Sequence, residues 1–198
     1  CKDHLFHKDC LVHCFKDGYL KCPLCLKTYG VRIGTQPFGT LSITYYPWSP
    51  SNKFGMWIAS NLSQEYTQGK SSEELTKNPF VQKYEQSGTI TLNYNFPSGI
   101  QGTEHPHPTV SYEGTSRSAY LPDTTAGRDV LNLLIKGFER RLNFTIGRSV
   151  TTGNDNCVIW NGIHHKTSLS GGPTAFGWPD KTYLLRVTSE LNAKGVYL

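Results

Sequence analysis

The stretch Cys1-Lys-Asp-His4-Leu-Phe-His7-Lys-Asp-Cys10, followed by Cys22-Pro-Leu-Cys25, decides how the chain is organised. Its thiol and imidazole side chains come in pairs with two residues between them. A pair at that spacing lets one backbone turn offer two ligands to a tetrahedral zinc ion. Three such pairs within 25 residues predict zinc, with Cys1, His4, His7, Cys10, Cys22 and Cys25 as the ligand candidates. His13 and Cys14 fall in the same stretch and are expected to face a small local core or solvent instead. A disulfide scaffold would spread its cysteines through the fold without interleaving histidines. Beyond residue 25 the chain holds only Cys157, so a reducing compartment, cytoplasmic or nuclear, is expected.

Composition separates this segment from the remainder. The 198 residues are 37% hydrophobic and 12% aromatic, enough for one sizeable domain with its own core and a small appendage. No apolar run reaches the ~20 residues of a membrane helix, and the first residues lack the pattern of a signal peptide. A formal charge of +5 permits an anionic ligand. The Lys and Arg are scattered, however, with no aromatic-interleaved basic stripe, which disfavours a zinc-dependent nucleic-acid binder.

From residue 29 the pattern is that of an α+β domain. Thr89-Ile-Thr-Leu-Asn-Tyr-Asn-Phe96 alternates strictly and predicts a half-buried strand that Pro97 ends. Leu121-Pro-Asp123 is read as opening a helix over about 124–142, with Val130, Leu131, Leu134, Phe138 and Leu142 on one face and Arg140 and Arg141 in its last turn. Phe144–Ile146 and Cys157–Trp160 read as short strands around a turn at 153–156. A final helix over about 181–194 carries Tyr183, Leu184, Val187 and Leu191 and stops at Gly195. Residues 47–80 are polar and long for a loop, and read as an insertion of low internal order.

The metal-ligand spacing, with Leu11 after Cys10 and Pro23 after Cys22, resembles the last six ligands of a RING finger. The first Cys-x2-Cys would then lie upstream, and the chain is expected to be a fragment. The resemblance implies a cross-brace in which Cys1, His4, Cys22 and Cys25 share one zinc, while His7 and Cys10 belong to a second. Further on, Ile33-Gly-Thr-Gln-Pro37, Gly99-Ile-Gln-Gly-Thr-Glu-His-Pro106, Ala119-Tyr-Leu-Pro-Asp123, Trp160-Asn-Gly-Ile-His-His-Lys-Thr167 and Gly177-Trp-Pro-Asp180 all resemble the Deltex C-terminal domain. The ending Tyr183–Gly195 is nearest the Deltex-3 branch. The chain thus resembles a truncated RING over 1–28 followed by an α+β Deltex C-terminal domain over 29–198.

The resemblance implies an E3 ubiquitin ligase that engages a ubiquitin-conjugating enzyme charged with ubiquitin, with Pro23 and Leu24 as its apolar contacts. Many RINGs carry a cation directly after the last ligand; here Leu26 stands there, with Lys27 next. The C-terminal domain would bind ADP-ribose or NAD, and through them ADP-ribosylated proteins or nucleic acid. The same resemblance implies transfer of ubiquitin to substrate or to ADP-ribose itself. It places a catalytic histidine at His164, a catalytic glutamate at Glu190, a ligand-packing aromatic at Phe176 and a small hydroxyl at Ser149. Relatives carry Tyr or His where Phe176 stands; Phe keeps the stacking face and loses the polar handle.

The residues themselves support part of this. Glu190 adjoins the apolar stripe of the last helix, three residues after Val187, where lost water suits a general base. Without the resemblance, a surface carboxylate is the plainer reading. Asn161 could cap a helical turn before His164 and His165, one of which should point inward as a hydrogen-bonded core residue. Gly171, Gly172 and Gly177 could let a ligand approach the backbone, or be ordinary turn glycines. The alternative to a ligase is a non-catalytic module that reads ADP-ribose and has a defective RING.

Overall fold

A computed structural model describes residues 4–16, 19–25, 28–47 and 87–198. Cys1, Leu26, Lys27 and nearly all of the expected insertion at 47–80 lie outside the described residues.

The N-terminal unit is small and open. Helix α1 (Lys8–Cys14) leads into an antiparallel sheet of β1 (Phe15–Lys16), β2 (Tyr19–Lys21) and β3 (Thr28–Gly30), with Phe15 opposite Leu20 and Leu20 opposite Tyr29. None of the α1 residues is buried, and Cys22 is the one buried residue among those described before residue 31. Hydrophobic burial cannot hold such a unit together, because a chain this short excludes too little apolar surface from water.

The C-terminal part is the α+β domain expected. Strands β4 (Thr40–Tyr46), β5 (Gly88–Phe96) and β8 (Thr115–Asp123) form an antiparallel sheet with β5 in the centre. A short ribbon of β6 (Gly99–Ile100) and β7 (Ser111–Tyr112) intervenes. Helix α2 (Thr125–Glu139) follows the sheet, and then β9 (Phe144–Gly147) pairs with β10 (Cys157–Trp160) as the predicted hairpin. Helix α3 (Tyr183–Ala193) packs on α2. One core joins all of these: Ile90, Leu92, Tyr94 and Phe96 of β5 meet Leu131 and Leu134 of α2, Phe144 of β9, and Val187 and Leu191 of α3.

The helix expected from about 124 does begin there: Leu121-Pro122-Asp123 before it ends β8, with Thr89 opposite Pro122, and Thr124 is the cap, its Oγ1 accepting the Gly127 N–H at 3.1 Å. The strand β5 is not half-buried along its length. Thr89 and Thr91 are buried as well as the apolar face, and exposure returns only at Asn95, because β5 is the middle strand of the sheet.

Helix α2 also stops three residues before the expected Leu142. Arg141 adopts a left-handed conformation (φ +59°), the Leu142 N–H reaches Gly137 O at 2.8 Å, and the Arg141 N–H reaches Phe138 O at 2.9 Å. This is a Schellman cap built on an arginine instead of the usual glycine. The segment before β4 locks it: the Gly34 N–H donates to Arg140 O, the Gln36 N–H to Arg141 O, and the Arg141 guanidinium to Gln36 O. A Cβ on Gly34 would lie 2.1 Å from Arg141 O, so this contact needs glycine. Helix α3 ends with the same cap, there on Gly195 (φ +79°).

Tyr46 pairs with Thr89, so the segment between β4 and β5 leaves and returns at one end of a hairpin. Shortening such a connection changes closure entropy by only about 1 kcal/mol. Deletion of 47–80 is therefore expected to preserve a single cooperative urea transition. A non-cooperative transition in the deletion protein would place that segment in the core.

Candidate functional site

No helical turn follows Asn161, whose side-chain amide instead donates to Leu142 O at 3.1 Å, and Gly162 turns the chain in a left-handed conformation (φ +64°). Beyond it Ile163 and His165 are buried, while His164 between them is exposed. The His165 Nδ1–H donates to Ile163 O (2.9 Å), so Nε2 of the neutral ring accepts from the Tyr94 hydroxyl (3.0 Å). Trp160 stacks on the ring at 4.1 Å. Burial holds the His165 imidazole neutral, drawing its pKa from 6.5 down to about 4.

Lys166, next to His165, is buried as well, as is its partner Asp180, with Nζ 2.6 Å from Oδ2. Arg186 of α3 adds a second cation on the same carboxylate at 2.8 Å. Burial alone would raise the Asp180 pKa, but the hydrogen bonds from Arg186 and Lys166 outweigh it and keep the carboxyl ionised well below the usual carboxylate range.

His164 is clasped from α3. Glu190 accepts from the His164 backbone N–H through Oε2 (2.8 Å) and from the ring Nδ1–H through Oε1 (2.6 Å). Tyr183 of the same helix donates its hydroxyl to His164 O at 3.0 Å. Glu190 is half-buried one turn beyond Arg186, while the imidazole stands two-thirds exposed at a cleft of about 450 Å³. Its Nε2 makes no hydrogen bond among the described residues.

The cleft floor is Trp160, Ile163 and His165, and its walls include Thr167, Arg117 of β8 and Thr151. Phe176 closes one side. It sits exposed at the end of a 3-10 turn (Pro173–Ala175) in a left-handed conformation, φ +52°. Gly177 after it passes so close to Ser170 that a Cβ would lie 1.7 Å from Ser170 O, so the turn presenting Phe176 requires glycine there. Ser149 does not line the cleft. Its Oγ accepts from the Thr152 N–H at 3.2 Å, within the loop that contributes Thr151. The sequence thus brings His164, Glu190 and Phe176 to one place and sets Ser149 just behind it. Arg117, Thr151, Trp160 and Thr167 went unforeseen as wall residues. Trp160 and Thr167 lie in a motif already singled out, whereas Arg117 comes from a strand with no distinguishing local signal.

At the other end of the chain, the donor atoms of His4, Cys22 and Cys25 all lie within 4.8 Å of one another, His4 Nδ1 being 3.4 Å from Cys22 Sγ. Backbone N–H groups of Cys25 and Leu24 point at that sulfur and, against some burial and with help from His4, draw its pKa from 9.0 to about 6. Zinc ligands ~2.0–2.3 Å from the metal stand at this mutual spacing, so the donor set fits zinc. His7 and Cys10 are exposed on and before α1 and are not part of this cluster; Cys1 lies outside the described residues. His13 is exposed and Cys14 half-buried.

Comparison with known proteins places these features. Residues 64–196 match the family described as the Deltex C-terminal domain. The chain is 45% identical over 175 residues to the human protein named probable E3 ubiquitin-protein ligase DTX3, covering 88% of this chain and 42% of that one. It is 39% identical over 199 residues to human E3 ubiquitin-protein ligase DTX1, and 38% identical over 199 residues to mouse DTX4, covering in each case 98% of this chain and 27% of the relative. The chain therefore spans less than half the length of these relatives.

The neutral His165 ties stability to pH. The unfolded imidazole takes a proton near pH 6.5 that the folded one refuses until about pH 4, so folded-state stability is lost as pH falls across that window. Urea midpoints of the parent should drop between these values more steeply than those of His165→Gln, the other imidazoles titrating alike in both. Parallel curves would mean that His165 is not neutral in the fold.

Proposed function

The chain belongs to the Deltex family, and on that premise we propose that it is a ubiquitin-ligase unit whose cleft holds an ADP-ribosyl group. Its N-terminal unit would receive a ubiquitin-conjugating enzyme charged with ubiquitin. Its cleft would take ADP-ribose, free, within NAD or attached to a protein. The observation that carries the reading is the Glu190–His164 clasp at the mouth of a cleft with aromatic faces and one guanidinium. The exposed ring of Phe176 suits stacking on a base or ribose, and Arg117 suits a diphosphate.

Zinc would be held by His4, Cys22 and Cys25, with Cys1 as fourth ligand, and would supply the folding energy that this unit lacks in apolar burial. Exposed Leu24 lies beside this site, where an apolar contact to a conjugating enzyme would be made. The donor cluster predicts one tightly held zinc per chain by elemental analysis, lost in Cys22→Ser. Purified protein without zinc would remove the RING reading.

A ribose hydroxyl is a poor nucleophile at neutral pH and needs a proton acceptor within about 3 Å. Both Glu190 oxygens are engaged by residue 164, which leaves His164 Nε2 to face the hydroxyl. The geometry therefore favours His164 as acceptor and Glu190 as the group that orients it, whereas the sequence suited Glu190 to the role of base. The hydroxyl oxygen bonds to the thioester carbonyl carbon at the C-terminus of ubiquitin, and the C–S bond breaks. The proton passes by way of Nε2 to the departing thiolate, while the Glu190 carboxylate stabilises the transient imidazolium.

His164→Ala and Glu190→Ala are each expected to slow transfer to ADP-ribose ~10²–10⁴-fold, while ADP-ribose affinity stays within a few fold. The assay is gel-based transfer beside calorimetry, with the chain fused behind a complete RING finger. Parental transfer by His164→Ala would refute the acceptor assignment. A parent that binds ADP-ribose and transfers nothing would leave only a reader.

A further inference from the structure

A second cleft, also of about 450 Å³, lies where β2, β3 and the ends of α2 and α3 meet. Its walls carry Arg32, Arg140 and Lys194, together with Tyr19 and Tyr197, and among the described residues no acidic side chain lines it. All three cations are half-buried. Like charges do not gather in a concave, partly dehydrated place without cost. The cost is visible at Lys194, whose pKa is lowered first by burial and then by Arg32, with the Glu190 carboxylate acting the other way. Glu190 is itself committed to His164.

Two helices end here, and helix C-termini attract cations, so that explanation must be tested first. Several carbonyls at and just beyond these ends already have donors. The Schellman bonds take Gly137 O and Leu191 O, the Arg140 guanidinium takes Gly195 O (2.9 Å), and Lys136 takes Tyr197 O (2.9 Å). Arg32 and Lys194 are left over. Among the described residues neither side chain makes a hydrogen bond or ion pair; the Arg32 guanidinium lies over the Tyr19 ring at 5.5 Å. Nor is Arg32 loosely placed, since the Gly34 N–H two residues later holds this segment against Arg140 O at 2.8 Å.

We infer that this cleft is a second anion site, in which Arg32 and Lys194, backed by Arg140, bind a small multivalent phosphate. A guanidinium and an ammonium with donors to spare match the oxygens of a diphosphate, and two tyrosine hydroxyls add further donors. The site is separate from the His164 cleft and stands whether or not that cleft takes ADP-ribose.

The test is a titration of the whole 198-residue chain with inorganic pyrophosphate in 150 mM NaCl, followed by amide chemical shifts. Saturable shifts are expected at Lys194, Gly195 and Tyr197, with Arg32→Gln and Lys194→Gln each weakening the affinity by about tenfold or more while the melting temperature holds. Three results overturn the inference: no saturable shift at those amides, shifts confined to Thr151, His164 and Thr167, or unchanged affinity in the double variant. Arg32 belongs to neither helix, so its variant keeps the test valid even if Lys194→Gln perturbs the cap of α3.

Discussion

The buried ion pair between Lys166 and Asp180 is the constraint on which the rest of the cleft depends. An ammonium and a carboxylate taken out of water must meet closely, and removing one partner of such a pair typically costs about 3–5 kcal/mol. Meeting at 2.6 Å fixes the register of residues 160–167 against both the 178–180 segment and, through Arg186, helix α3. The Lys166 carbonyl also accepts the Tyr120 N–H at 2.8 Å, which ties the same residue to β8. His165, buried next to Lys166, lies beneath Trp160 on Tyr94, while His164 before it is exposed and meets Glu190. A shift of this segment by one residue in either direction would carry His164 into a buried position.

The two parts of the chain solve the stability problem differently. The C-terminal domain excludes water with a continuous core from β5 to α3, and fastens its chain reversals with caps and with the Gln36–Arg141 lock. In the N-terminal unit Cys22 alone is buried among the described residues, and three soft donors converge there. Burial and metal ligation are alternative ways to offset the entropy of ordering a short chain.

Much of this was legible in the sequence. The α+β class, the 144–160 hairpin, the last helix with its glycine stop, and the inward–outward division of the two histidines all follow from periodicity and local chemistry. The departures have physical causes. The early end of α2 was hidden because an arginine, not a glycine, holds the left-handed position, supported by partners more than a hundred positions away in the sequence. For the same reason Arg117 could not be read: only the fold brings β8 beside the His164 loop.

The proposed ligand of the His164 cleft is an ADP-ribosyl group. The most direct measurement is calorimetric titration of ADP-ribose into the unaltered chain, with Trp fluorescence read on the same samples, since Trp160 forms the cleft floor. Saturable one-to-one binding, with a fluorescence change that is lost when Trp160 is replaced by Phe, is the predicted result. Absence of saturable heat at millimolar ADP-ribose, or binding that leaves Trp160 unperturbed, would contradict it.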